Sequence, residues 1–423
     1  MKNTAIKIAL LVSRILFGFT FLFSGFVKAV DPMGSAYKFI DYFRAFDLTF
    51  FNDLALPLAI LLAAIEFTIG ASILFGSYRR LATWCGLLFM CFFTPLTLYL
   101  ALANPVSDCG CFGDAFVMTN WETFYKNIVL LVFAIILFWK RSEIKPLFTT
   151  NLRWIPALYA MAFSVGISLV GIRDLPILDF RPYKTGVNIQ QAMLAPEGAP
   201  EAEYLLVYEK EGVKKEFTLE NYPDDPTWIF VETKTILPDP KWQAPIKDFF
   251  LTDEEGNNIT NAVLDQEGYT FLLISPDLAT ADENYIDRIN EVYDYTIDHG
   301  YGFYCVTVND ENRINDWTER TGAEYSYIFS DVTIIETIVR ANPGLVLLKE
   351  GTIIWKKSPR NFPTEEMLKE PLTESKLGEP KKNNSQTVIL YCILVFFAPI
   401  LVLLFFEKTI ISFVEKRKKV KTA

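Results

Sequence analysis

The sequence of 423 residues contains a single histidine, His299. Because the apolar segments hold no histidine, a bis-histidine haem of the membrane cytochrome type is excluded. A metal site at cysteine would have to recruit oxygen ligands or a second molecule, so no metal centre is predicted. His299 follows a helix-like run and is interpreted as a surface residue at a helix end.

The chain has six cysteines but no Cys-x-x-Cys pair. Four of them lie in apolar segments, where a lone cysteine usually acts as a small hydrophobic residue. These are Cys85, Cys91, Cys305 and Cys392. Only Cys109 and Cys111 occupy a polar loop, which makes this pair the first candidate for chemistry.

The chain also lacks a surplus of basic residues, since its formal net charge is -10 and most acidic residues fall between 173 and 384. Such a segment repels nucleic acid, so no nucleic-acid partner is predicted. The first apolar run has a basic start but no small-x-small cleavage site, and we interpret it as an uncleaved anchor.

What the chain has in abundance is apolar sequence, at 51% of its residues. Several runs approach the roughly 20 residues needed to cross a bilayer. Six spans are predicted, of which the fourth and fifth are the shortest: 6–26, 54–76, 81–103, 124–139, 154–171 and 387–406. The class is therefore a membrane protein, with lipid as a partner.

Lysine and arginine lie beside one set of span ends. They lie at the start of the first span, between the second and third and between the fourth and fifth, and after the sixth: Lys2, Lys7, Arg79, Arg80, Lys140, Arg141, Lys145, Arg153, 416–419 and Lys421. By the positive-inside rule this face is cytoplasmic. We expect a multi-pass protein of the inner (cytoplasmic) membrane, with cytoplasmic termini and with the cysteine loop and the segment 173–384 extracytoplasmic (periplasmic).

The cysteine loop, residues 108–114, reads Asp-Cys-Gly-Cys-Phe-Gly-Asp. Two thiols one residue apart can close on each other, exchange with a partner disulfide, or hold a thiophilic metal. A Cys109–Cys111 disulfide would close a very small, readily reduced ring, for which Gly110 supplies the backbone freedom. We predict Cys109 and Cys111 as catalytic residues, with a static disulfide, a soft-metal site and an inert reduced pair as alternatives.

Arg14 and Glu66 are charged residues within the first two spans, and Lys28 lies two positions after the end of the first. A charge inside a span is costly and marks a functional site or a buried pair. Counted from the cytoplasmic ends, Arg14 and Glu66 share a depth of roughly 15 Å. We therefore predict that they pair, either to neutralise each other or to handle protons or quinone.

The aromatic-rich segment 31–52 is predicted to form a helix in the outer membrane interface. Two roles stay open for it. It either caps the bundle above the cysteine loop or only anchors the chain at the interface.

Residues of the first 140 positions are similar to the DoxX-like superfamily and, within it, to the methylamine-utilisation MauE family. The residues that carry this likeness are Arg14, Gly18, Gly25, Lys28, Glu66, Gly70, Gly76, the loop 108–114, Trp121, Lys126 and Asn127. The resemblance implies a four-helix membrane core. MauE members are implicated in maturing a disulfide-rich periplasmic enzyme, which implies thiol chemistry here by analogy.

After the fifth span, strands and helices alternate. The predicted elements are strand 270–274, helix 282–298, strand 302–308, helix 313–321, strand 325–329, helix 333–339 and strands 345–348 and 353–356. This order predicts a three-layer α/β domain. It resembles an exported thioredoxin-like domain, with Asn342-Pro343-Gly344 similar to the cis-proline corner of that family.

The thioredoxin-like segment departs from its family at the expected redox site, since 275–282 contains no cysteine. We expect this domain to lack redox activity of its own and to bind a partner through Ser275, Asn342 and Pro343. The alternative is that Ser275 and its neighbours form ordinary loop contacts with no role in binding.

The predicted organisation has seven parts. They are a DoxX/MauE-like four-helix membrane domain at 1–140, a fifth transmembrane helix at 141–172, a linker with a small β element at 173–245, the thioredoxin-like domain at 246–360, a linker at 361–386, the sixth transmembrane helix at 387–407 and a basic tail at 408–423.

Two functions stay open on the sequence alone. One is membrane thiol-disulfide exchange or maturation of an exported client protein through Cys109 and Cys111, and the other is a non-enzymatic envelope scaffold. No cofactor is assigned, although a quinone is left open as an electron acceptor. Some distant DoxX relatives are associated with thiosulfate oxidation, which suggests oxidation of a small sulfur substrate as a third activity. In this sequence only Arg14 and Glu66 support it.

Overall fold

The computed structural model describes residues 2–422 except for 107, 201–202, 211–212, 219–220, 222, 224, 226, 237–241 and 381–383. Parts of the predicted β element and of the linker 361–386 therefore lie outside the described residues. The same holds for the basic side chains of the tail from 414 onward.

The α-helices of the described residues can be given in chain order. They are α1 (Lys2–Val30), α2 (Pro32–Ala45), α3 (Ala55–Phe75), α4 (Arg79–Ala103), α5 (Asn120–Trp139), α6 (Trp154–Arg173), α7 (Ile189–Ala192), α8 (Thr260–Leu264), α9 (Ile286–His299), α10 (Glu311–Thr321), α11 (Val332–Ile338) and α12 (Ser385–Thr422). The strands are β1 (Glu203–Lys210), β2 (Val213–Thr218), β3 (Ile229–Ile236), β4 (Tyr269–Ser275), β5 (Gly302–Thr307), β6 (Ser326–Phe329), β7 (Gly344–Lys349) and β8 (Thr352–Lys357).

The chain divides into two compact units. The membrane unit comprises Met1–Arg181, Lys357–Asn361 and Asn383–Ala423, and the α/β unit comprises Pro182–Lys356 and Phe362–Lys382.

In the membrane unit, six helices among the described residues are long and apolar enough to cross a membrane. Each predicted span falls on one of them, including the short fourth and fifth spans. These helices are α1, α3, α4, α5, α6 and α12. The last helix continues without a break to Thr422, so the predicted tail extends the helix. The chain is thus a multi-pass helical membrane protein.

Close packing of α1 against α3 depends on glycine. A Cβ atom at Gly25 would lie 2.4 Å from the Phe67 backbone nitrogen, and one at Gly70 would lie 2.5 Å from that of Leu22. Backbones that approach this closely leave no room for a side chain. The polar residues of α1 can therefore reach those of α3.

The ends of the cysteine loop are tied together by capping contacts. At the start of α5, Thr119 accepts a hydrogen bond from the Glu122 amide while the Glu122 side chain accepts one from the Thr119 amide. Next to it, Asn120 Nδ2 donates to Asn104 Oδ1 at the end of α4, at 3.0 Å. The loop therefore leaves and re-enters the bundle at neighbouring points.

In the α/β unit, the described residues form two sheets. A three-stranded antiparallel sheet has the order β2-β1-β3, and a five-stranded sheet has the order β6-β5-β4-β7-β8. In the larger sheet β4 pairs in parallel with β5 and antiparallel with β7. All seven residues of β4 are buried, because both faces of the sheet are covered. The predicted order of strands and helices is observed, although a 3₁₀ turn precedes α9, which begins at Ile286.

Candidate functional site

The two loop cysteines are in contact. Cys109 Sγ and Cys111 Sγ lie 3.0 Å apart, whereas a disulfide bond is about 2.05 Å long. Gly110 between them has a φ of +64°, a left-handed conformation that glycine adopts readily. The backbone thus turns so that both sulfurs lie on one side of the loop, within reach of a bond.

Helix α2 covers the loop. Lys38 Nζ pairs with Asp108 Oδ2 at 2.7 Å, and the Tyr42 hydroxyl donates to the Cys109 carbonyl oxygen at 2.9 Å. Asp108 also accepts a hydrogen bond from the Gly110 amide through Oδ1, at 2.9 Å. Of the two predicted roles of segment 31–52, these contacts correspond to the cap over the cysteine loop.

A buried lysine joins the loop to the bundle. Lys28 Nζ lies 2.8 Å from Glu66 Oε2, 2.7 Å from Ser24 Oγ and 2.6 Å from the Cys111 carbonyl oxygen. Lys28 and Glu66 are only 6% and 4% exposed. Two buried charges are tolerated where they pair and where hydrogen bonds occupy the remaining donors, and here all three ammonium protons have an acceptor.

The predicted Arg14–Glu66 pair is wrong. Arg14 donates to the carbonyl oxygens of Ile73 and Leu74, at 2.9 and 2.7 Å, in the last turn of α3. Counting depth from the span ends assumed that both helices begin at one level. Instead Gly18 meets Leu74, so α1 extends well past the end of α3 and Arg14 lies about three turns from Glu66. Arg14 satisfies carbonyl groups that the helix end leaves without partners.

The two thiols differ in their environment. The hydrogen bond from the Cys109 thiol, helped by the charges of Lys126 and Lys28, lowers the pKa of Cys111 to about 6. The same contact, together with burial, holds the pKa of Cys109 well above its usual value. Cys109 is also the more buried of the two. Of the two thiols, Cys111 therefore ionises at the lower pH and has the more exposed side chain, and Cys109 keeps its proton to a higher pH.

A cavity of about 270 Å³ opens beside the cysteine pair. Both cysteines and Gly110 form part of its wall, together with the buried Lys28 and Glu66. Much of the remaining wall consists of phenylalanine side chains from α1, α2 and α4. The cavity is thus apolar over most of its surface and polar beside the sulfurs.

The structure also joins Ser275 and Asn342 in the α/β unit. The Ser275 hydroxyl donates to Asn342 Oδ1 at 2.7 Å, and Asn342 Nδ2 donates to the Asp277 carbonyl oxygen at 2.7 Å. The Asn342–Pro343 peptide bond is cis. Ser275 and Pro343 are buried and Asn342 is half-buried, so only Asn342 offers surface to a partner.

Sequence reasoning missed the roles of Ser24, Lys38, Tyr42 and Lys126. Ser24, Lys38 and Tyr42 do carry a signal in the sequence. Ser24 lies four positions before Lys28, and Lys38 lies four positions before Tyr42, so each pair shares a helix face. Lys126 lies 4.3 Å over the Phe112 ring. The remaining cysteines are free; Cys305 is buried, which raises the pKa of its thiol. Within the described residues, no group of three or more His, Cys, Asp or Glu could hold a metal ion.

Comparisons with known proteins bear on two stretches of the chain. Residues 6–140 match the family described as methylamine utilisation protein MauE, so this membrane part is MauE-like. Residues 202–238 match a domain of unknown function, DUF8463.

A comparison with curated proteins gave no match. Among solved structures, the chain is similar to a candidate protein disulfide isomerase from Bacteroides thetaiotaomicron. The identity is 16%, the match covers 28% of this chain and 78% of the other, and the TM-score is 0.21. At that TM-score the likeness adds nothing to the assignment of the fold.

Proposed function

We propose that the chain is a membrane thiol-disulfide exchange factor that acts in the maturation of exported proteins through Cys109 and Cys111. The observation that carries the proposal is the pair itself: two sulfurs 3.0 Å apart, one buried and one half-buried, in a polar loop beside buried charges. A static staple would need neither the buried Lys28–Glu66 pair nor two thiols of unequal acidity.

The exchange follows from the unequal thiols. The Cys111 thiolate attacks one sulfur of a client disulfide, forms a mixed disulfide and releases one client thiolate. Cys109 then loses its proton and attacks Cys111 Sγ, so that the Cys109–Cys111 bond forms and the second client thiolate leaves. The reverse sequence oxidises a client dithiol. In both directions the mixed disulfide is on Cys111.

The α/β unit is proposed as a thioredoxin-like, extracytoplasmic module that binds the client. Its strand order β6-β5-β4-β7-β8, with helices between the parallel strands, supports this interpretation. Because the segment 275–282 directly after β4 contains no cysteine, the unit contributes recognition and leaves electron transfer to the loop. The basic residues beside one set of span ends support a cytoplasmic location for that face of the bundle, and so an extracytoplasmic location for the cysteine loop.

A trapping experiment tests this proposal. In cells carrying Cys109→Ser, Cys111 forms a mixed disulfide that nothing resolves, so acid quenching and alkylation are expected to show complexes of the chain with exported proteins. The matched control is Cys111→Ser, which keeps the same loop and removes the attacking sulfur. It is expected to trap no client.

Equal absence of complexes in both variants, with unchanged oxidation of exported proteins, would contradict the proposal. It would favour an envelope scaffold whose Cys109–Cys111 pair is structural. Complexes in Cys111→Ser alone would reverse the roles of the two cysteines.

A further inference from the structure

The cavity beside the cysteine pair lies in a position that the exchange reaction does not require. A client disulfide needs access to Cys111 from the aqueous side, but this cavity runs between spanning helices. Some of its lining side chains lie on the outside of the bundle, where Phe92 is 65% and Phe46 38% exposed. In a membrane Phe92, in the middle of the spanning helix α4, faces lipid, so the cavity connects the sulfurs with the hydrocarbon.

The size of the cavity limits what it can hold. Its volume of about 270 Å³ is close to the lower end of the range of roughly 300–1,000 Å³ that small-molecule sites occupy. That volume suits a single substituted ring with its side chain leaving into the bilayer. It does not suit a folded peptide.

The polar groups that line the cavity with the two cysteines indicate which substituents a bound ring would need. All three protons of the Lys28 ammonium already have acceptors, in Ser24, Glu66 and the Cys111 carbonyl. Lys126, which also lines the cavity, instead lies over the Phe112 ring, 4.3 Å away. Its ammonium is therefore the cation best placed to donate to a carbonyl oxygen beside the sulfurs.

We propose that this cavity is the binding site of a membrane quinone, which takes the electrons of Cys109 and Cys111. The inference rests on the proposed thiol-disulfide exchange and names its electron acceptor. The ring lies between the phenylalanine side chains, one carbonyl accepts a hydrogen bond from Lys126, and the isoprenoid chain leaves past Phe92.

The redox step balances. Two S–H bonds break and one S–S bond forms, so the dithiol loses two electrons and two protons. Each quinone carbonyl oxygen gains one electron and one proton, which gives the hydroquinone. Where Cys111 is already ionised, the second proton comes from water.

A test uses the purified full-length chain in detergent, with Cys109 and Cys111 reduced, under anaerobic conditions. Decylubiquinone is the probe, because its ring is fully substituted and does not add thiols. Loss of the quinone absorbance and alkylation mass spectrometry are expected to show one hydroquinone formed for each disulfide closed. Leu96→Trp, which fills the cavity from α4, is expected to slow this step by about tenfold or more.

The matched control is Leu88→Trp, since Leu88 lies on the same helix, is 60% exposed and does not line the cavity. It is expected to behave like the unaltered chain. A decylubiquinone reaction that fails in the unaltered chain, or that responds equally to both tryptophan variants, would overturn the inference.

Failure of the quinone step and failure of the proposed function are distinguishable. A single-turnover reaction of the oxidised pair with dithiothreitol measures exchange without quinone. If exchange proceeds and decylubiquinone does not oxidise the pair, only the quinone site is rejected. If exchange itself fails, the proposed function is rejected. The direct reaction with decylubiquinone still shows whether the cavity binds a quinone.

Discussion

The two polar corners of this molecule are built on opposite plans. In the membrane unit, the loop 108–114 is held by the charged groups Lys28, Glu66 and Lys38, and it carries two thiols. In the α/β unit, the corner between β4 and β7 is held by neutral hydrogen bonds of Ser275 and Asn342, and it carries no thiol. Buried charge accompanies the two sulfurs, whereas neutral hydrogen bonds hold the backbone of the other corner in place.

Under the proposed function, this difference separates the part of the chain that carries the sulfur chemistry from the part that binds the client. A charge buried in a spanning bundle is costly, so its retention beside Cys111 favours a role in sulfur chemistry. The corner at Asn342 needs no such charge, because holding backbone segments in place requires only matched donors and acceptors.

The strongest test of the contrast compares Cys111 with Cys305. The rate of alkylation of Cys111 is expected to rise with pH through a midpoint of about 6 and to level off above pH 7, because the thiolate reacts and its pKa is lowered. Cys305 is fully buried and its pKa is raised, so it is expected to stay unlabelled until the chain unfolds. Mass spectrometry of alkylated peptides across pH 4 to 10 measures both.

Two variants at Cys109 serve as controls for that titration. Cys109→Ala removes the hydrogen-bond donor and is expected to raise the Cys111 midpoint, while Cys109→Ser keeps a donor and is expected to raise it less. If Cys111 in the unaltered chain titrates near the ordinary pKa of a cysteine thiol, the basis for proposing Cys111 as the nucleophile is removed.

A smaller but still large effect is expected at the buried ion pair. Lys28→Met leaves the Glu66 carboxylate buried without its partner, which typically costs about 3–5 kcal/mol of unfolding free energy. It also removes a positive charge near Cys111, so the alkylation midpoint is expected to rise. SDS-induced unfolding and the alkylation titration measure the two effects separately.

The double variant Lys28→Met with Glu66→Leu distinguishes stability from chemistry. It removes both charges and is expected to regain most of the lost stability. Because Glu66 itself raises the pKa of Cys111, the midpoint is expected to fall between the unaltered chain and Lys28→Met. If Lys28→Met leaves the midpoint unchanged, Lys28 has only a structural role.

The sequence sufficed for the elements whose signals are local. Spans such as α4 are apolar over most of their length, and the order of β4, β5 and β7 follows from short apolar runs separated by turn residues. The Cys-Gly-Cys spacing likewise brings two sulfurs together through one glycine with positive φ. These features depend on neighbours in the chain.

What the sequence did not reveal depends on register between distant segments. Tyr42 and Cys109 are 67 positions apart, so their contact follows only from how α2 lies over the loop. The partner of Glu66 depends on how far α1 slides along α3, and close approach at Gly25 sets that offset. Counting depth from the span ends could not supply this offset. The count therefore selected Arg14, in place of Lys28, as the partner of Glu66.

The smallest expected effect is at the neutral corner. Asn342→Ala leaves the buried Ser275 hydroxyl without its acceptor, which is expected to lower the free energy of unfolding by about 1–3 kcal/mol. Amide hydrogen exchange of peptides covering 275–282, measured in the full chain, is expected to become about tenfold faster, and trapping of clients by the Cys109→Ser chain is expected to fall. Adding Ser275→Ala removes the orphaned hydroxyl, so the double variant should recover part of the protection. If exchange near 275–282 does not change in Asn342→Ala, the neutral contacts do not hold this corner, and its contrast with the charged loop fails.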